Sequence, residues 1–456
     1  MAACERSGQW SEVLQFADMA EQKGCVQLDG VALSSALHAC QQLGLSGRAL
    51  SYLEQMKKLG AQPSVVDQRI TKGKKRSGAR KPLEGPDEVA YCLAISACSR
   101  AGEWKEGLRI LNEMKKVGIG NSVRAYTATI VGCAEAGQWE VAMRLLSEME
   151  TENVVPNVVT YSAAISACAK AISLGSSDKE TPMDTALSLL GRMKDDKSLE
   201  PNIVSYNAAI KACAEGLNLD RAFELVKELK DFGLSPTVVT FGSLVTACER
   251  SENVLRMEEA FAMMSAEDVA ANEIIYGAAI SCCRKAGEWE KAFKLLEGML
   301  KDDLRPNVAT FNTILIALTE GGQLIRALKV MKMMKENSSY VNPNRTTYSI
   351  IINALVANKR PEDAETILDI MYRRGLKPDV DLFTATVTAY EKNNQPGRAL
   401  RLMEKMSEIG YNFYEIKVLD NIFKRVVKLV NTLSPNTSDK DQYDDDVDEF
   451  ESSNKL

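Results

Sequence analysis

VRAYTATIVGCAEAGQWEVAMRLLSEMETENVVPN, residues 123–157, is the stretch whose reading decides the fold. It reads as two short helices parted at Gly137. In the first, Tyr126, Ile130 and Cys133 recur at i, i+4 and i+7 and line one face. In the second, Trp139, Ala142, Leu146 and Met149 recur at i, i+3, i+7 and i+10. Gly137 suits the left-handed residue that ends a helix, and Val155-Pro156-Asn157 stops the second helix and turns the chain. A helical pair this small cannot bury both stripes by itself, so it must stack on copies of itself.

The copies are in the sequence. The aromatic early in the first helix recurs as Tyr91, Tyr126, Tyr161, Tyr206, Phe241, Tyr276, Phe311, Tyr348 and Phe383, in steps of 35, 35, 45, 35, 35, 35, 37 and 35. Counting each unit from three residues before that aromatic, position 11 is Cys98, Cys133, Cys168, Cys213, Cys248 and Cys283. Position 27 is Met114, Met149, Met264, Met299, Met334, Met371 and Met406. Gly-x-Trp recurs at Gly102 to Trp104, Gly137 to Trp139 and Gly287 to Trp289. Several independent markers in one register do not arise by chance.

A chain of 456 residues would ordinarily suggest about three globular domains. The repeat overrides that prior, because a solenoid grows one unit at a time and has no single core. No apolar run of ~18 residues is long enough to span a membrane. With Cys40, seven of the eleven cysteines fall at position 11, where a small apolar side chain packs between helices. They lie about one repeat apart, with no C-x-x-C pair and a single histidine, His38, which argues against a metal site and for a reducing compartment. The formal charge of −6 is concentrated at the end of the chain: residues 439–456 hold eight acids and two lysines, so residues 1–438 sum to zero. A neutral scaffold can still carry a basic stripe on one face.

Residues 1–64 are expected to be a partial repeat, with Gly8-Gln9-Trp10 as its marker, followed by one degenerate unit with Leu33 in the aromatic slot. A chain that opens inside a repeat reads as a piece of a longer protein. Residues 65–87 form a basic insertion with seven basic residues (Arg69, Lys72, Lys74, Lys75, Arg76, Arg80 and Lys81) against three acids. Such a run is either a solvated loop or a phosphate-gripping arm. Nine units follow over 88–414, starting at Glu88, Val123, Val158, Ile203, Val238, Glu273, Val308, Arg345 and Val380. The third carries an insertion around Ile172–Asp184, expected on an exposed turn where extra length costs little. Residues 415–430 read as an amphipathic helix that caps the last unit, and 431–456 as a disordered acidic tail.

The unit resembles the pentatricopeptide repeat: 35 residues, with an aromatic at position 4, Gly at 15, Ala at 20, Met at 27 and Pro at 34, the last seen as Pro63, Pro156, Pro236, Pro306 and Pro378. The near neighbour, the tetratricopeptide repeat, has a shorter period and a small residue at position 8 that this chain lacks. The resemblance covers nearly the whole chain. It implies an all-α fold, a right-handed α-α superhelix or solenoid of ~35-residue helix-turn-helix repeats, binding single-stranded RNA one base per repeat. In that family the base is read by positions 5 and 35, whose amides and hydroxyls can match a Watson–Crick edge.

Carried onto this chain, the resemblance makes Thr127 with Asn157 and Ser162 with Asn202 readers of A, and Asn207 with Thr237 a reader of pyrimidines. Gly242 with Asn272 and Gly277 with Asn307 become A readers without the hydroxyl, Asn312 with Asn344 a C reader, and Ser349 with Asp379 a G reader. Cys92 with Ser122, Ser34 with Ser64 and Thr384 with Tyr414 depart from the pattern. The implied core target is 5′-AAYAACG-3′. Position 2, which sandwiches the base in the family, is Val89, Val159, Val204, Val239 and Ile274, whereas Arg124, Ala309, Thr346 and Asp381 depart from it. Position 13, which approaches the RNA backbone in the family, is Arg100, Lys170, Arg250, Lys285 and Lys392; the plainer reading is solvated charge favoured by the helix dipole.

Some members of the family end in a deaminase domain, which needs H-x-E and C-x-x-C, and neither motif occurs. No enzyme, cofactor or metal site is therefore expected. The expected role is organellar, in a chloroplast or mitochondrion: processing, stabilisation or translation of a transcript by passive occupancy, with processing or translation proteins as further partners. No transit peptide is visible in residues 1–29. The rival classes are a protein-interaction scaffold, in which Asn after Pro is only turn chemistry, and a nucleoid-associated DNA binder.

Overall fold

The structure is a computed structural model that describes residues 1–22, 28–59, 86–119, 122–175, 178–196, 198–336, 341–411 and 417–433. The basic insertion, apart from Pro86 and Asp87, and the acidic tail from residue 434 lie outside the described residues. The described residues are helices joined by short turns. They divide into two compact units, one of residues 1–247 with 262–269, the other of residues 248–261 with those from 270 onward.

In the first unit the opening repeat helices are Glu88–Arg100, Val123–Glu135, Val158–Ser173 and Ile203–Glu215, each followed by an antiparallel partner such as Trp139–Thr151 or Leu219–Asp231. Glu88–Arg100, Val123–Glu135 and Val158–Ser173 each pack on their own partner and on the next opening helix, and Ile203–Glu215 packs on Leu219–Asp231. The second unit repeats the plan with Glu273–Lys285, Val308–Glu320, Arg345–Ala357 and Val380–Lys392, and ends with a helix over Lys417–Leu433.

The recurring residues explain this regularity. Most of these opening helices are capped by the residue just before them: the Asn157, Asn202, Asn272, Asn307 and Asn344 side chains accept first-turn backbone N–H groups that have no partner within the helix, whereas Asp379 makes no such bond. The helix then ends in a two-bond left-handed turn. The Gly137 N–H donates to Ala134 O at 3.1 Å and the Gln138 N–H to Cys133 O at 2.8 Å, with Gly137 at φ 66°. The partner helix closes in the same way, the Val154 N–H donating to Met149 O at 2.8 Å with Asn153 at φ 55°. Position 11 and position 27 therefore occupy the same place in their two helices. Each buries its side chain in the interhelix core and gives its carbonyl to the closing turn, as Cys98, Cys213, Met299 and Met371 also do.

The third repeat differs from the expected exposed turn. Its first helix runs three residues longer than its neighbours, to Ser173, and its second starts at Glu180. Ala171 and Ile172 are buried, so part of the insertion is held as helix by apolar contact instead of being looped out. Where Ser251–Leu255 lacks the Gly-x-Trp marker, Glu252 adopts the left-handed conformation at φ 54° and the helix Val254–Ala266 follows.

Candidate nucleic-acid interface

The turn between repeats decides where the reader side chains lie. Position 35 is the N-cap of the following helix, and position 5 sits one turn into the preceding opening helix. Stacking of successive opening helices brings the two together. In the first unit, Asn207 Nδ2 donates to Thr237 Oγ1 at 3.5 Å. In the second unit, Asn312 Nδ2 donates to Asn344 Oδ1 at 3.4 Å. Thr127 reaches Asn157 through one intermediary, the Thr160 hydroxyl, which lies 2.7 Å from Thr127 Oγ1 and 3.0 Å from Asn157 Oδ1. The non-conforming pair Cys92 and Ser122 has the same geometry, at 3.7 Å, but Ser122 Oγ also donates to Glu88 at 2.7 Å.

The remaining pairs are arranged differently. Ser162 is buried and its hydroxyl donates back to Val158 O at 2.7 Å, while Asn202 is occupied with the Val204 and Ser205 N–H groups at 3.0 Å. Ser349 likewise donates back, to Arg345 O at 2.9 Å, and Asp379 forms an ion pair with Arg345. Gly277 leaves room, since a Cβ there would meet only Thr310 Oγ1 at 3.9 Å, and Asn307 caps the Thr310 N–H at 2.9 Å. Gly242 lies in the first unit and Asn272 in the second.

Position 2 is the most exposed apolar slot of the opening helices. Val159, Val204, Val239 and Ile274 are 57%, 55%, 65% and 75% exposed, and Val89 is half-buried. Each lies three residues before position 5 and so on the same helix face. Solvent-facing aliphatic side chains beside polar ones, repeated unit after unit, offer a flat apolar contact next to a hydrogen-bonding edge. That combination suits a nucleobase, which has a π-face and a polar rim.

The basic candidates at position 13 are not equivalent. Arg100 donates to Gln42 O at 3.2 Å and Lys285 pairs with Glu249 at 3.2 Å. Arg250 and Lys392 are exposed, and Lys170 is half-buried with no ion pair among the described residues. Other basic side chains are held in ion pairs, as Lys115 with Glu148 and Lys194 with Glu228.

Reading the sequence for positions 5 and 35 missed a third participant. Position 3 of the following unit is Thr160, Ser205, Thr240, Thr310 and Thr347, all buried. Three of these hydroxyls, Thr160, Thr240 and Thr347, touch both readers of the preceding unit. The signal was present as a capping box, Asn or Thr followed three residues later by a hydroxyl.

Comparison with known proteins fits this geometry. A PPR repeat family model matches residues 121–170, a pentatricopeptide repeat domain model matches 188–250, 260–321 and 294–358, and a PPR repeat model matches 31–60, 89–119, 346–376 and 382–411. Together they cover well over half of the chain. A chloroplastic pentatricopeptide repeat-containing protein of Arabidopsis thaliana is 32% identical over 74 residues, 16% of this chain and 15% of its own. A second Arabidopsis pentatricopeptide repeat-containing protein is 27% identical over 71 residues, 16% of each. Among solved structures, the maize pentatricopeptide repeat protein PPR10 superposes with a TM-score of 0.65 at 19% identity, over 93% of this chain and 59% of that one. A variant of it in complex with an 18-nucleotide psaJ RNA element superposes at 0.55 and 19% identity, over 93% and 60%. These likenesses show the all-α helical-repeat fold. The chain spans about a seventh of the curated relatives and about three-fifths of the solved one.

Proposed function

The chain belongs to the pentatricopeptide repeat family, and we propose that it binds single-stranded RNA in a sequence-dependent way, one base per repeat. The observation that carries this reading is the contact between positions 5 and 35, made at Asn207 with Thr237 and again at Asn312 with Asn344. Two polar side chains from successive repeats share one small area, and at Asn207 the exposed Val204 lies on the same helix face.

The action is passive. The array holds a run of about 8–10 nucleotides extended, which blocks nucleases and prevents competing RNA structure. The target is of the form 5′-AAYAACG-3′, with the N-terminal repeats at the 5′ end. The base preferences come from the reader pairs: hydroxyl with Asn for A, Asn with Thr for a pyrimidine, Asn with Asn for C, and Ser with Asp for G. The setting is a plant organelle, the chloroplast before the mitochondrion, and the outcome for the bound transcript is processing, stabilisation or translation. Support for the RNA ligand comes from the solved relative that holds an RNA element, and for the organelle from the chloroplastic relative.

Selection of bound sequences from a random RNA pool tests the reading, alongside filter binding of single-stranded DNA and random peptide. Enrichment of A-A-pyrimidine at the 5′ side of the recovered motif is expected. Preferential capture of peptide or DNA would refute RNA as the ligand, and an unrelated RNA consensus would refute the assignment of bases.

A further inference from the structure

We propose that where position 5 is an asparagine, the buried hydroxyl at position 3 of the following repeat, Thr347 after Asn312 above all and Thr240 after Asn207 beside it, fixes the amide orientation of that asparagine, and so helps set which base its repeat accepts. The inference rests on the RNA-binding reading and deepens it. It names positioning residues that the two reader slots leave out.

The argument starts at a group whose role cannot be reversed. The Thr347 backbone N–H can only donate, and it points at Asn344 Oδ1 at 3.0 Å. That contact identifies the Asn344 oxygen and sends its amide nitrogen the other way. The Asn344 backbone N–H in turn donates to Thr347 Oγ1 at 3.2 Å, taking one acceptor site of the hydroxyl. The single hydroxyl proton has two acceptors in reach, Asn312 Oδ1 at 2.7 Å and Asn344 Oδ1 at 3.0 Å. Asn344 Oδ1 already accepts from the backbone, so the closer Asn312 oxygen takes the proton. Asn312 then shows its nitrogen to Asn344 Oδ1, at 3.4 Å. The flipped amide would set two carbonyl oxygens against each other at that distance, with no proton between them.

Asn207 has the same hydroxyl contact in the other unit, but its position-35 partner, Thr237, is a hydroxyl able to donate or accept, so Asn312 carries the orientation argument. The Thr237 backbone N–H donates to Thr240 Oγ1 at 3.0 Å, and Thr240 Oγ1 donates to Asn207 Oδ1 at 2.6 Å. Asn207 Nδ2 is left facing Thr237 Oγ1 at 3.5 Å. Thr240 and Thr347 are both 0% exposed, so no water competes for these protons. Where position 3 is Leu382, after Ser349 and Asp379, no hydroxyl exists to do this.

The consequence for recognition follows from donors and acceptors. With the Asn312 oxygen tied inward, the groups the pair does not use internally are N–H donors: the second Asn312 amide proton, on a side chain that is buried in the free chain, and those of the exposed Asn344. Donors match the N3 and O2 acceptors of cytosine and oppose the N3–H of uracil. A freely flipping amide would present either edge and discriminate poorly. The hydroxyl is therefore a specificity element that need not touch RNA.

The test has two arms, both on the full chain. In the first, selective 15N-asparagine labelling follows the side-chain NH2 signals of Asn207 and Asn312 without RNA. Thr347→Val, which keeps the shape and removes the hydroxyl, should shift the Asn312 pair and speed its rotational exchange roughly tenfold, while the Asn207 pair stays put. Thr240→Val should do the converse, which gives an independent variant if one of them fails to fold, and Thr347→Ser should restore the wild-type signals. Unchanged Asn312 signals in Thr347→Val overturn the proposal whatever the RNA result. In the second arm, RNAs differing only at the nucleotide opposite residues 308–344 are titrated. A C-over-U preference that falls by roughly tenfold in Thr347→Val and returns in Thr347→Ser supports the proposal, and an unaltered preference overturns it. If the wild-type chain binds RNA with no base preference, base reading fails as the function, and the signals of the first arm still decide the amide orientation.

Discussion

Replacing Asn157 separates its role as a helix cap from its proposed role as a base reader. As an N-cap, Asn157 accepts from the Thr160 N–H and from Thr160 Oγ1, each at 3.0 Å. In the proposed reader role, its amide NH2 is the group that meets the base. Asn157→Ala removes both, and loss of the cap costs about 1 kcal/mol, or ~2–4 °C in melting temperature for a unit of this size. Asn157→Asp and Asn157→Ser keep an oxygen at the cap. The Asp charge at a helix N-terminus adds ~0.3–1 kcal/mol of stability. Both lose the NH2 donor, and discrimination for a base held by such a donor should fall by about 1–3 kcal/mol, roughly tenfold to a hundredfold. The neutral Ser variant controls for repulsion between the Asp charge and phosphate. Thermal unfolding and fluorescence anisotropy, with RNAs carrying each base opposite residues 123–157, should therefore show three destabilised or weakened readings. Ala loses stability and A-preference, whereas Asp and Ser lose A-preference alone. Equal A-preference in wild type, Asp and Ser would refute the reader role and leave Asn157 as turn chemistry.

Other predictions come from single features of the structure. Gly137→Ala should destabilise by at least ~1–2 kcal/mol in a urea titration, because its φ is 66° and a Cβ would stand 2.7 Å from Leu174 Cδ1. By contrast Leu217→Gly, at φ 62° and 47% exposed, should stabilise by about 0.5 kcal/mol in the same assay. Lys170→Ala should reduce the slope of log affinity against log salt by ~0.7 if the lysine meets a phosphate, and an unchanged slope would mark it as solvated helix-end charge. Arg345→Ala frees the Asp379 carboxylate; because the pair is about half exposed, stability should change by less than ~1 kcal/mol, while preference for G over A opposite residues 345–379 should rise in a binding titration. Burial pushes the Cys168, Cys213 and Cys283 thiols up to about 12, so iodoacetamide at pH 8 should leave them unlabelled in the folded chain and modify them after denaturation, as read by peptide mass mapping.

The fold was legible because its markers are local. Tyr126, Cys133, Gly137, Met149 and Pro156 each do their work within one helical pair: a buried stripe, a left-handed stop, a turn. Those requirements recur at every repeat, so the period is printed in the sequence. Less legible was the third repeat, where Ala171 and Ile172 extend the helix to Ser173. Their burial depends on neighbouring turns, which a local pattern does not contain. Arg345 illustrates the same limit, since its pairing with Asp379 joins residues a full repeat apart.

The sequence by itself determined the period, the helical pairs, their stops, and the slots where polar side chains recur, because these follow from hydrophobic spacing and turn chemistry within some 35 residues. Only the tertiary structure decided which polar atoms meet. Whether Asn312 turns its oxygen or its nitrogen toward Asn344 depends on a hydroxyl carried by Thr347, 35 residues away and brought near only when one opening helix stacks on the next. Hydrogen bonds have direction, and direction is fixed by the partners that packing supplies.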